Sequence, residues 1–322
     1  SVIEFSIDEK EEQSMNSRIS NIGIKDSNET SANQCLIPKN EEQETIIKNQ
    51  ELKLRNYNKI TEPKLTFGSK GNGNGQFYGP VGIITNSKGN IIVSEKNGHR
   101  IQIFDSEGNF ISTFGSKGIE NGQFRFPNGI SINSKGNIIV NDLWNYRIQI
   151  FDSEGNFIST FGSYGNGIGQ FKLPDAICID KNDNIYVYDS QDQVQIFDSN
   201  GKFISKFEFS HRFYNPVRMT INSKGNIIVS HHDQIVTFDS EGKYISQFGS
   251  KGKENKELSY PSGICVDSND NILVCDHDNN RIRIFNSNGK YIAQFHVKSP
   301  KDIAIDPKTQ NIIVCGNTHI SM

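Results

Sequence analysis

GPVGIITNSKGNIIVSEKNGHRIQIFDSEGNFISTFGSKGIENGQ, which spans Gly79–Gln123, is followed by a second copy, FPNGISINSKGNIIVNDLWNYRIQIFDSEGNFISTFGSYGNGIGQ, at Phe126–Gln170. The copies are separated by a constant step of 47 residues, which also separates Phe77, Phe124 and Phe171 (77 to 124, 124 to 171). Self-similarity at a fixed period of this length is typical of repeat architectures, in which each copy forms one unit that its neighbours stabilise. The sequence therefore predicts a repeat protein.

Each copy contains four short runs rich in Ile, Val and Phe, bounded by turn residues. In the second copy we expect strands at Gly129–Asn133 (a), Asn137–Asn141 (b), Arg147–Asp152 (c) and Asn156–Phe161 (d). In both copies the a–b turn reads SKGN and the c–d turn reads SEGN, with a late Gly where a positive φ is needed. Runs of the strand-b type begin at Ile91, Ile138, Ile185, Ile227, Ile272 and Ile312. These six units of four antiparallel strands predict an all-β fold, a six-bladed β-propeller.

The two ends of the repeat region fit together. The sixth unit stops at Met322, early in its strand c, and so lacks a strand d. The missing strand is found upstream, because KLTFGSKGNGNGQF at Lys64–Phe77 resembles the strand-d tail ISTFGSKGIENGQF at Ile111–Phe124. We therefore expect this N-terminal strand, Leu65–Phe67, to pair with Ile312–Val314 of the last blade. Such pairing closes the ring and removes two exposed sheet edges.

Residues 1–63 differ in composition from the rest of the 322-residue chain. They carry 12 acidic and 8 basic residues, and their only aromatic residues are Phe5 and Tyr57. A segment this polar buries too little apolar surface to offset the entropy cost of ordering it. We therefore expect residues 1–63 to form a disordered arm or linker, and residues 64–322 to form the propeller.

The cysteines show no paired spacing. They are Cys35, Cys178, Cys265, Cys275 and Cys315. We expect reduced thiols that serve as small buried hydrophobic side chains, in a protein of the cytoplasm. A zinc site formed by Cys265, Cys275 and His277 is the alternative, although no CxxC pair accompanies these residues. No apolar run reaches the length of a membrane span, so we expect no association with a membrane.

The order of the repeated motifs resembles the NHL repeat. The pattern reads P-x-G-I, G-N-I-x-V-x-D, N-x-R-I-Q-I-F-D, G-x-F-x-x-x-F-G and G-x-G-Q-F, and the resemblance covers Leu65–Met322. The FGSKG…GQF connection is most similar to the C-terminal NHL propellers of tripartite-motif (TRIM-NHL) proteins. That resemblance implies a propeller of a ubiquitin ligase or post-transcriptional regulator, which binds a protein partner or RNA without catalysis, cofactor or small-molecule substrate. No RING, B-box or coiled-coil pattern occurs in this stretch, so any ligase activity would lie in a RING domain outside it.

The resemblance also implies an acidic residue that closes strand b and an Arg that opens strand c. The implied pairs are Glu95 with Arg100, Asp142 with Arg147, and Asp276 with Arg281. A carboxylate and a guanidinium that face each other across a short hairpin form a charge-assisted pair. We expect these pairs to be structural ion pairs rather than partner contacts. The third, fourth and sixth units depart from the pattern.

An antiparallel meander places the b–c loops and the d–a connections on one face, and the a–b and c–d turns on the other. The turns are near-identical copies, whereas the b–c and d–a segments vary most, so we expect recognition on this variable face. Trp, Tyr and Arg are favoured anchors of protein interfaces. The candidate partner-binding residues are Arg125, Phe126, Trp144, Tyr146, Tyr164, Lys172, Arg218, Tyr260 and His277, with Tyr78 and His99 as further variable positions. The alternative is that several of the aromatic residues pack over the ends of neighbouring blades.

Single-stranded RNA is the alternative partner. Basic residues stand next to aromatic residues in FRF at Phe124–Phe126 and in LWNYR at Leu143–Arg147, a combination that suits bases and phosphates. The whole chain has a net charge of −3 and residues 1–63 carry −4, so residues 64–322 carry a net charge of only +1. The propeller as a whole therefore offers little general attraction to phosphate.

A metal-dependent lyase or lactonase is the remote alternative, because some six-bladed propellers of such enzymes hold a metal on the central axis. The residue after the repeat Pro should lie near the mouth of the central channel. This position holds Val81, Asn128, Asp175, Val217, Ser262 and Lys301. One carboxylate among six side chains is a poor metal cage, so we expect neither a metal site nor catalytic residues.

Overall fold

The computed structural model describes residues 2–5, 57, 60, 63–209, 218–254 and 257–316. These residues form six four-stranded antiparallel sheets, and the innermost strands of successive sheets contact one another in a closed cycle. The prediction of an all-β propeller built from four-stranded antiparallel blades is confirmed. In the described ranges, no helix has the length and the apolar character that a membrane crossing requires.

The first three blades follow one another along the chain, each with strands a to d from the axis outward. Blade one consists of Pro80–Thr85, Ile91–Glu95, Arg100–Phe104 and Phe110–Phe114. Blade two consists of Pro127–Ile132, Ile138–Asp142, Arg147–Phe151 and Phe157–Phe161. Blade three consists of Pro174–Ile179, Ile185–Asp189, Gln193–Phe197 and Phe203–Glu208. The strand limits of blade two lie within two residues of those expected from the sequence.

The fourth and fifth blades continue the pattern. Blade four consists of Arg218–Ile221, Ile227–His231, Gln234–Phe238 and Tyr244–Phe248. Blade five consists of Pro261–Val266, Ile272–Asp276, Arg281–Phe285 and Tyr291–His296. Two-residue parallel pairs stiffen three of the d–a connections, joining Ser69–Lys70 to Gln76–Phe77, Ser163–Tyr164 to Gln170–Phe171, and Ser250–Lys251 to Glu257–Leu258. A short 3-10 turn, Leu143–Asn145, forms the b–c loop of blade two.

The sixth blade contains strands from distant parts of the chain. Its strands a and b are Pro300–Ile305 and Ile312–Gly316. Its strand c is Val2–Phe5, which pairs with the second of these strands on one side and with Leu65–Phe67, strand d, on the other. The register places Ile3 opposite both Val314 and Thr66. In sequence, the segment between Phe5 and Leu65 therefore connects two neighbouring strands of one sheet.

This arrangement corrects two expectations. Leu65–Phe67 lies in the last sheet, but it does not pair with Ile312–Val314, because Val2–Phe5 lies between them. Val2–Phe5 was expected to belong to a disordered arm, and it is a strand. A central strand forms backbone hydrogen bonds on both of its edges, and these bonds stabilise Val2–Phe5. The composition of residues 1–63 does not reveal this stabilisation. Most of the remaining expected arm lies outside the described residues.

The chain divides into two compact units, one made of Ser1–Ser6 with Thr61–Met322 and the other of Ile7–Ile60. The first unit contains all six sheets. In the second, the described residues are Tyr57 and Ile60.

Phenylalanines at repeated positions join each blade to the next. In the first blade, the ring of Phe104 from strand c lies 5.0 Å from Phe67 of the preceding strand d and 5.4 Å from Phe77 of the d–a connection. The same triad recurs in blade two, where Phe151 lies 4.8 Å from Phe114 and 5.5 Å from Phe124. Burying a Phe side chain stabilises a fold by roughly 1.5–3 kcal/mol. The repeated Phe positions therefore provide much of the packing between blades.

Candidate recognition face

The three expected ion pairs are all present at the boundary between strands b and c. The N–O distances are 2.7 Å for Arg100 Nε to Glu95 Oε1, 2.8 Å for Arg147 Nε to Asp142 Oδ2 and 2.6 Å for Arg281 Nε to Asp276 Oδ2. The three carboxylate side chains are fully buried, whereas the Arg side chains keep a small exposed fraction. Each pair closes a b–c hairpin at the variable face.

In the second blade, the Asp142 carboxylate also organises the neighbouring connection. Its Oδ1 accepts the backbone N–H of Arg125 at 2.7 Å, and its Oδ2 accepts the side-chain amides of Asn145 and Gln149 at 2.8 and 3.1 Å. Burial raises the pKa of Asp142 above its ordinary value, while the hydrogen bonds from Arg125, Asn145 and Arg147 act in the opposite direction. The carboxylate thus fixes the backbone that carries Arg125 on the surface.

The Arg of each pair binds the d–a connection. Arg147 Nη2 donates to the carbonyl oxygens of Glu120 and Gln123 at 2.8 and 3.0 Å. In the first blade, Arg100 donates in the same way to the carbonyls of Asn72, Gly73 and Gln76 at 2.8–3.0 Å. The ion pairs therefore determine the shape of the loops on the variable face, although their own side chains are mostly covered.

Blade three lacks the Arg, and backbone N–H groups together with the Gln191 side-chain amide bind its acidic residue instead. Asp189 is fully buried, and its Oδ1 accepts the N–H groups of Lys172 and Leu173 at 3.0 and 2.7 Å. Gln193 stands at the position of the missing Arg and pairs with Asp189 across the ladder. The acidic residue thus keeps its role in positioning the d–a connection when its Arg is absent.

Three aromatic side chains stack along the junction of blades one and two. Phe126 lies 4.8 Å from His99 in an edge contact and 5.4 Å from Trp144, measured between ring centroids. The backbone N–H of Phe126 also donates to Nδ1 of His99 at 3.1 Å. Phe126 thus packs over a neighbouring blade, as the alternative hypothesis proposed, but Trp144 is 48% exposed and Arg125 beside it is exposed. This group of His99, Phe126 and Trp144, called here the Trp144 cluster, packs one side of the indole against Phe126 and leaves about half of it exposed.

Two further aromatic pairs lie on the same face. Tyr146 contacts Tyr164 in an edge arrangement at 4.9 Å, and Tyr164 is 62% exposed. Tyr260 of blade five lies 5.9 Å from His277. The candidate aromatic residues therefore form three separate groups in the described structure, and each group keeps at least one exposed side chain.

Several of these residues adopt a left-handed backbone conformation. The φ angles are 54° at His99, 57° at Phe126, 59° at Tyr146 and 53° at Tyr260. A non-glycine residue pays roughly 1–2 kcal/mol for this conformation, and such strain is concentrated at functional sites. His99 and Tyr146 each directly precede the Arg that opens strand c, and in blade five this position holds Asn280, with φ 54°. Asn tolerates the left-handed region better than most residue types.

The face has a cavity of about 600 Å³ at the central axis, called here the axial cavity. Its lining residues include Val81, Asn128, Asp175, Ser262 and Lys301, the residues that follow the repeat Pro. The sequence expectation for these five positions is thus correct, and Val217, the sixth, lies outside the described residues.

Candidate residues Arg218, Tyr260 and His277 also line the cavity. Lys96, Leu143, Leu173 and Tyr188 complete much of the wall. Sequence reasoning missed them as cavity residues, although Lys96 and Leu143 lie in variable b–c loops and Leu173 in a d–a connection.

A hydrogen-bonded group crosses the axis inside the axial cavity. The Asn128 side-chain amide donates to Asp175 Oδ1, and Asn128 Oδ1 accepts Arg218 Nη2 at 2.9 Å. Arg218 Nη1 lies 3.7 Å from the same Asp175 oxygen. The carboxylate and the guanidinium therefore largely neutralise each other. In the described part of the chain, no group of three or more His, Cys, Asp or Glu side chains is placed to hold a metal ion.

Charge is distributed unevenly over the variable face. Its segments at residues 68–79, 96–99, 115–126, 143–146 and 162–173 carry five basic residues and one acidic residue, Glu120. The basic residues are Lys70, Lys96, Lys117, Arg125 and Lys172. The described segments at 190–192, 232–233, 249–254, 257–260, 277–280 and 297–299 carry three basic and five acidic residues. The Trp144 cluster and Tyr164 thus lie in a basic sector that the net charge of the propeller conceals.

Comparisons with known proteins identify the repeat. The family model of the NHL repeat matches residues 77–104 and 258–285, and a model described as a 6-bladed beta-propeller matches residues 134–224. Protein lin-41 of Caenorhabditis elegans is 47% identical over 60 residues, which are 18% of this chain and 5% of that protein. Protein brain tumor of Drosophila melanogaster is 52% identical over 44 residues, 14% of this chain and 4% of the relative. The E3 ubiquitin-protein ligase TRIM71 of Rattus norvegicus is 41% identical over 56 residues, 17% of this chain and 6% of the ligase.

The matched stretches are therefore short, and the chain spans only 4–6% of the length of these relatives. Solved structures support the fold over a larger part of the chain. A protein from Bacteroides thetaiotaomicron has a TM-score of 0.62 at 13% identity, covering 77% of this chain and 74% of its own. A gluconolactonase from Xanthomonas campestris has a TM-score of 0.59 at 14% identity, covering 76% and 85%. A streptogramin B lyase has a TM-score of 0.54 at 13% identity, covering 74% and 93%. At these identities the likeness concerns the fold alone.

Proposed function

We propose that this chain, a β-propeller that carries NHL repeats and has TRIM-NHL relatives, is a non-catalytic recognition module that binds a protein partner through its variable face. The observation that carries this proposal is the Trp144 cluster, in which a half-exposed indole rests on Phe126 beside the exposed Arg125. A rigid aromatic side chain next to an Arg is the usual composition of a binding hot spot. The left-handed backbone at Phe126 and Tyr146 supports the same interpretation, because Gly or Asn would adopt this conformation with less strain.

The wider setting of the module follows from its relatives. By name, one of them is a ubiquitin-protein ligase, and we propose that this chain recruits a protein substrate for a TRIM-NHL-like ligase or regulator. We place it in the cytoplasm, because Cys178, Cys275 and Cys315 are buried and form no disulfide, as a reducing compartment favours. We further propose that residues 64–322 with Val2–Phe5 close a ring of six blades, and that the intervening part of residues 1–63 is a linker.

The partner proposal is tested by affinity capture from cell extract with the 322-residue chain and with its Trp144→Ala and Tyr164→Ala variants. The Lys135→Ala variant, on the opposite face, serves as the control. We expect the same specific protein to be captured by the parent chain and the control, and to be lost with both aromatic variants at an unchanged melting temperature. Capture that survives both aromatic substitutions would remove these residues from the interface.

Single-stranded RNA is the second candidate partner, and the basic sector favours it. Arg125, Lys117 and Lys172 lie in the same connections as Phe126 and Tyr164, so phosphates and stacked bases could be bound together. The RNA hypothesis predicts binding of an oligonucleotide pool that weakens steeply with salt and fails with Arg125→Glu plus Lys172→Glu. Filter binding at low salt that detects no oligonucleotide would eliminate RNA and leave the protein partner.

A metal-dependent lyase or lactonase remains the remote alternative, since two of the structural neighbours have such names. The argument against it rests on the axial side chains. Asp175 is the carboxylate among the described residues that follow the repeat Pro, and it is already bound by Asn128 and Arg218. Metal analysis of the purified chain tests this alternative, and stoichiometric zinc or calcium would revive it.

A further inference from the structure

The axial cavity combines the size of a ligand site with a mixed lining. Its volume of about 600 Å³ falls within the roughly 300–1,000 Å³ of typical small-molecule sites. Apolar wall is provided by Val81, Leu143 and Leu173, together with the rings of Tyr188 and Tyr260. A cavity with such walls stabilises the apolar body of a ligand, and its few polar groups select the head group.

The charged groups of the lining are not balanced. Asp175 is neutralised within the cavity by Arg218, at 3.7 Å. Lys96 and Lys301 also line the cavity, and neither ammonium group takes part in an ion pair or a side-chain hydrogen bond within the described ranges. Both lysines are only partly exposed. Within the described ranges, the wall of the cavity therefore carries two lysine ammonium groups that are not ion-paired with a carboxylate.

The polar floor is held in place before any ligand binds. Asn128 bridges Asp175 and Arg218 by hydrogen bonds, and these three residues come from strands a of three successive blades. Ser262 Oγ donates to the carbonyl of Pro300 in the next blade at 3.0 Å. A floor tied between blades loses little freedom on binding, and that lowers the cost of association.

We infer that the axial cavity binds a small organic anion, with a carboxylate or similar head group at Lys96 and Lys301 and an apolar body against Leu143, Leu173 and Tyr260. This inference departs from the sequence expectation that no small molecule binds. It does not depend on the identity of the macromolecular partner. Because the cavity opens within the variable face, a bound anion would lie inside the surface that we propose for recognition.

The test uses two dyes that share an apolar body. 8-Anilinonaphthalene-1-sulfonate carries a negative charge, and N-phenyl-1-naphthylamine does not. Fluorescence titration of the full chain should give one saturable site for the anionic dye. Lys96→Gln and Lys301→Gln should each raise the dissociation constant of the anionic dye by roughly fivefold, the loss expected for one part-buried charge. The dissociation constant of the neutral dye should change by less than about twofold. Lys251→Gln, an exposed residue of the same face outside the cavity lining, should change neither.

Displacement on the unmodified chain gives an independent result if a variant fails to fold. Benzoate should displace the anionic dye, whereas benzyl alcohol of nearly the same shape should not. Lys301→Arg, which keeps the charge, should bind the dye like the parent chain. The inference is overturned if benzoate and benzyl alcohol compete equally, if both lysine variants bind like Lys251→Gln, or if no saturable site exists while the protein is folded.

Discussion

Asp302 of the sixth blade accepts the backbone N–H of Ile83 in the first blade at 3.0 Å, across 219 positions of sequence. The bond joins strands a of two blades that are neighbours only because the ring closes. Burial raises the pKa of Asp302 to about 6, and this outweighs the opposing effects of Arg218 and of the backbone donors. The seam of the ring therefore contains a carboxyl group that titrates near neutrality.

Asp302→Asn is expected to stabilise the propeller at pH 8 but not at pH 4. Because the folded-state pKa of about 6 lies above the ordinary value of 3.8, the charged carboxylate destabilises the fold above pH 6, and the penalty disappears below pH 4. A difference of this size corresponds to roughly 2–3 kcal/mol, and Asn still offers an oxygen to Ile83. Urea unfolding at the two pH values measures the change.

A carboxyl with the opposite shift provides the control. The Asn109 side chain, and to a lesser degree backbone N–H groups, lower the pKa of Asp105. Asp105→Asn should therefore leave the unfolding free energy at pH 4 unchanged, and it should leave it unchanged or lower it slightly at pH 8. Equal effects of Asp302→Asn on the unfolding free energy at both pH values would show that folding does not raise the pKa of the Asp302 carboxyl.

Ile3→Pro is expected to lower the melting temperature by roughly 5–10 °C. Ile3 lies in the middle of a strand that is paired on both sides, and proline removes a backbone donor from one of the two ladders. Ile3→Thr, which keeps the N–H and a β-branched side chain, should have a much smaller effect. Differential scanning calorimetry compares the two variants. If both melt like the parent chain, Val2–Phe5 does not contribute to ring closure in solution.

Asp142→Ala and Arg147→Ala should each destabilise the fold by about 3–5 kcal/mol, because each leaves a buried or nearly buried charge without its partner. The double variant should be less destabilised than the sum, with a coupling energy of about 1–3 kcal/mol. A double-mutant cycle in urea measures the coupling, with exposed Lys135→Ala as a neutral reference. Additive losses would mean that the two side chains act independently, through their separate contacts with the d–a connection.

Tyr146→Asn should separate binding from folding. The residue has φ 59°, and Asn280 at the equivalent place in blade five has φ 54°. Since Asn adopts this conformation with less strain, the unfolding free energy should stay the same or rise by up to about 1 kcal/mol. Partner capture should fall, because the edge contact with Tyr164 is lost. A large loss of stability would indicate instead that Tyr146 is retained for packing.

Local pattern was sufficient for most of the fold. The alternation of apolar residues, the SKGN and SEGN turns and the repeated Phe positions placed the strands of blade two within two residues of their observed limits. The partners Glu95 with Arg100 and Asp142 with Arg147 were implied by the resemblance to the NHL repeat, and a short hairpin brings them into contact. The residues after the repeat Pro could be assigned to the channel mouth by repeat position alone.

The sequence by itself determined the repeating unit, since its information lies within about 50 neighbouring residues. The strand-d pattern placed Leu65–Phe67 in the last sheet, whereas only the tertiary structure showed that Val2–Phe5 lies between it and Ile312–Gly316. Val2–Phe5, in a polar setting, pairs with the edge of Ile312–Gly316 that strand Pro300–Ile305 leaves open. Lys96 and Lys301 share one cavity because the ring brings the first and sixth blades together. Such contacts depend on closure of the chain in space, which no local pattern records.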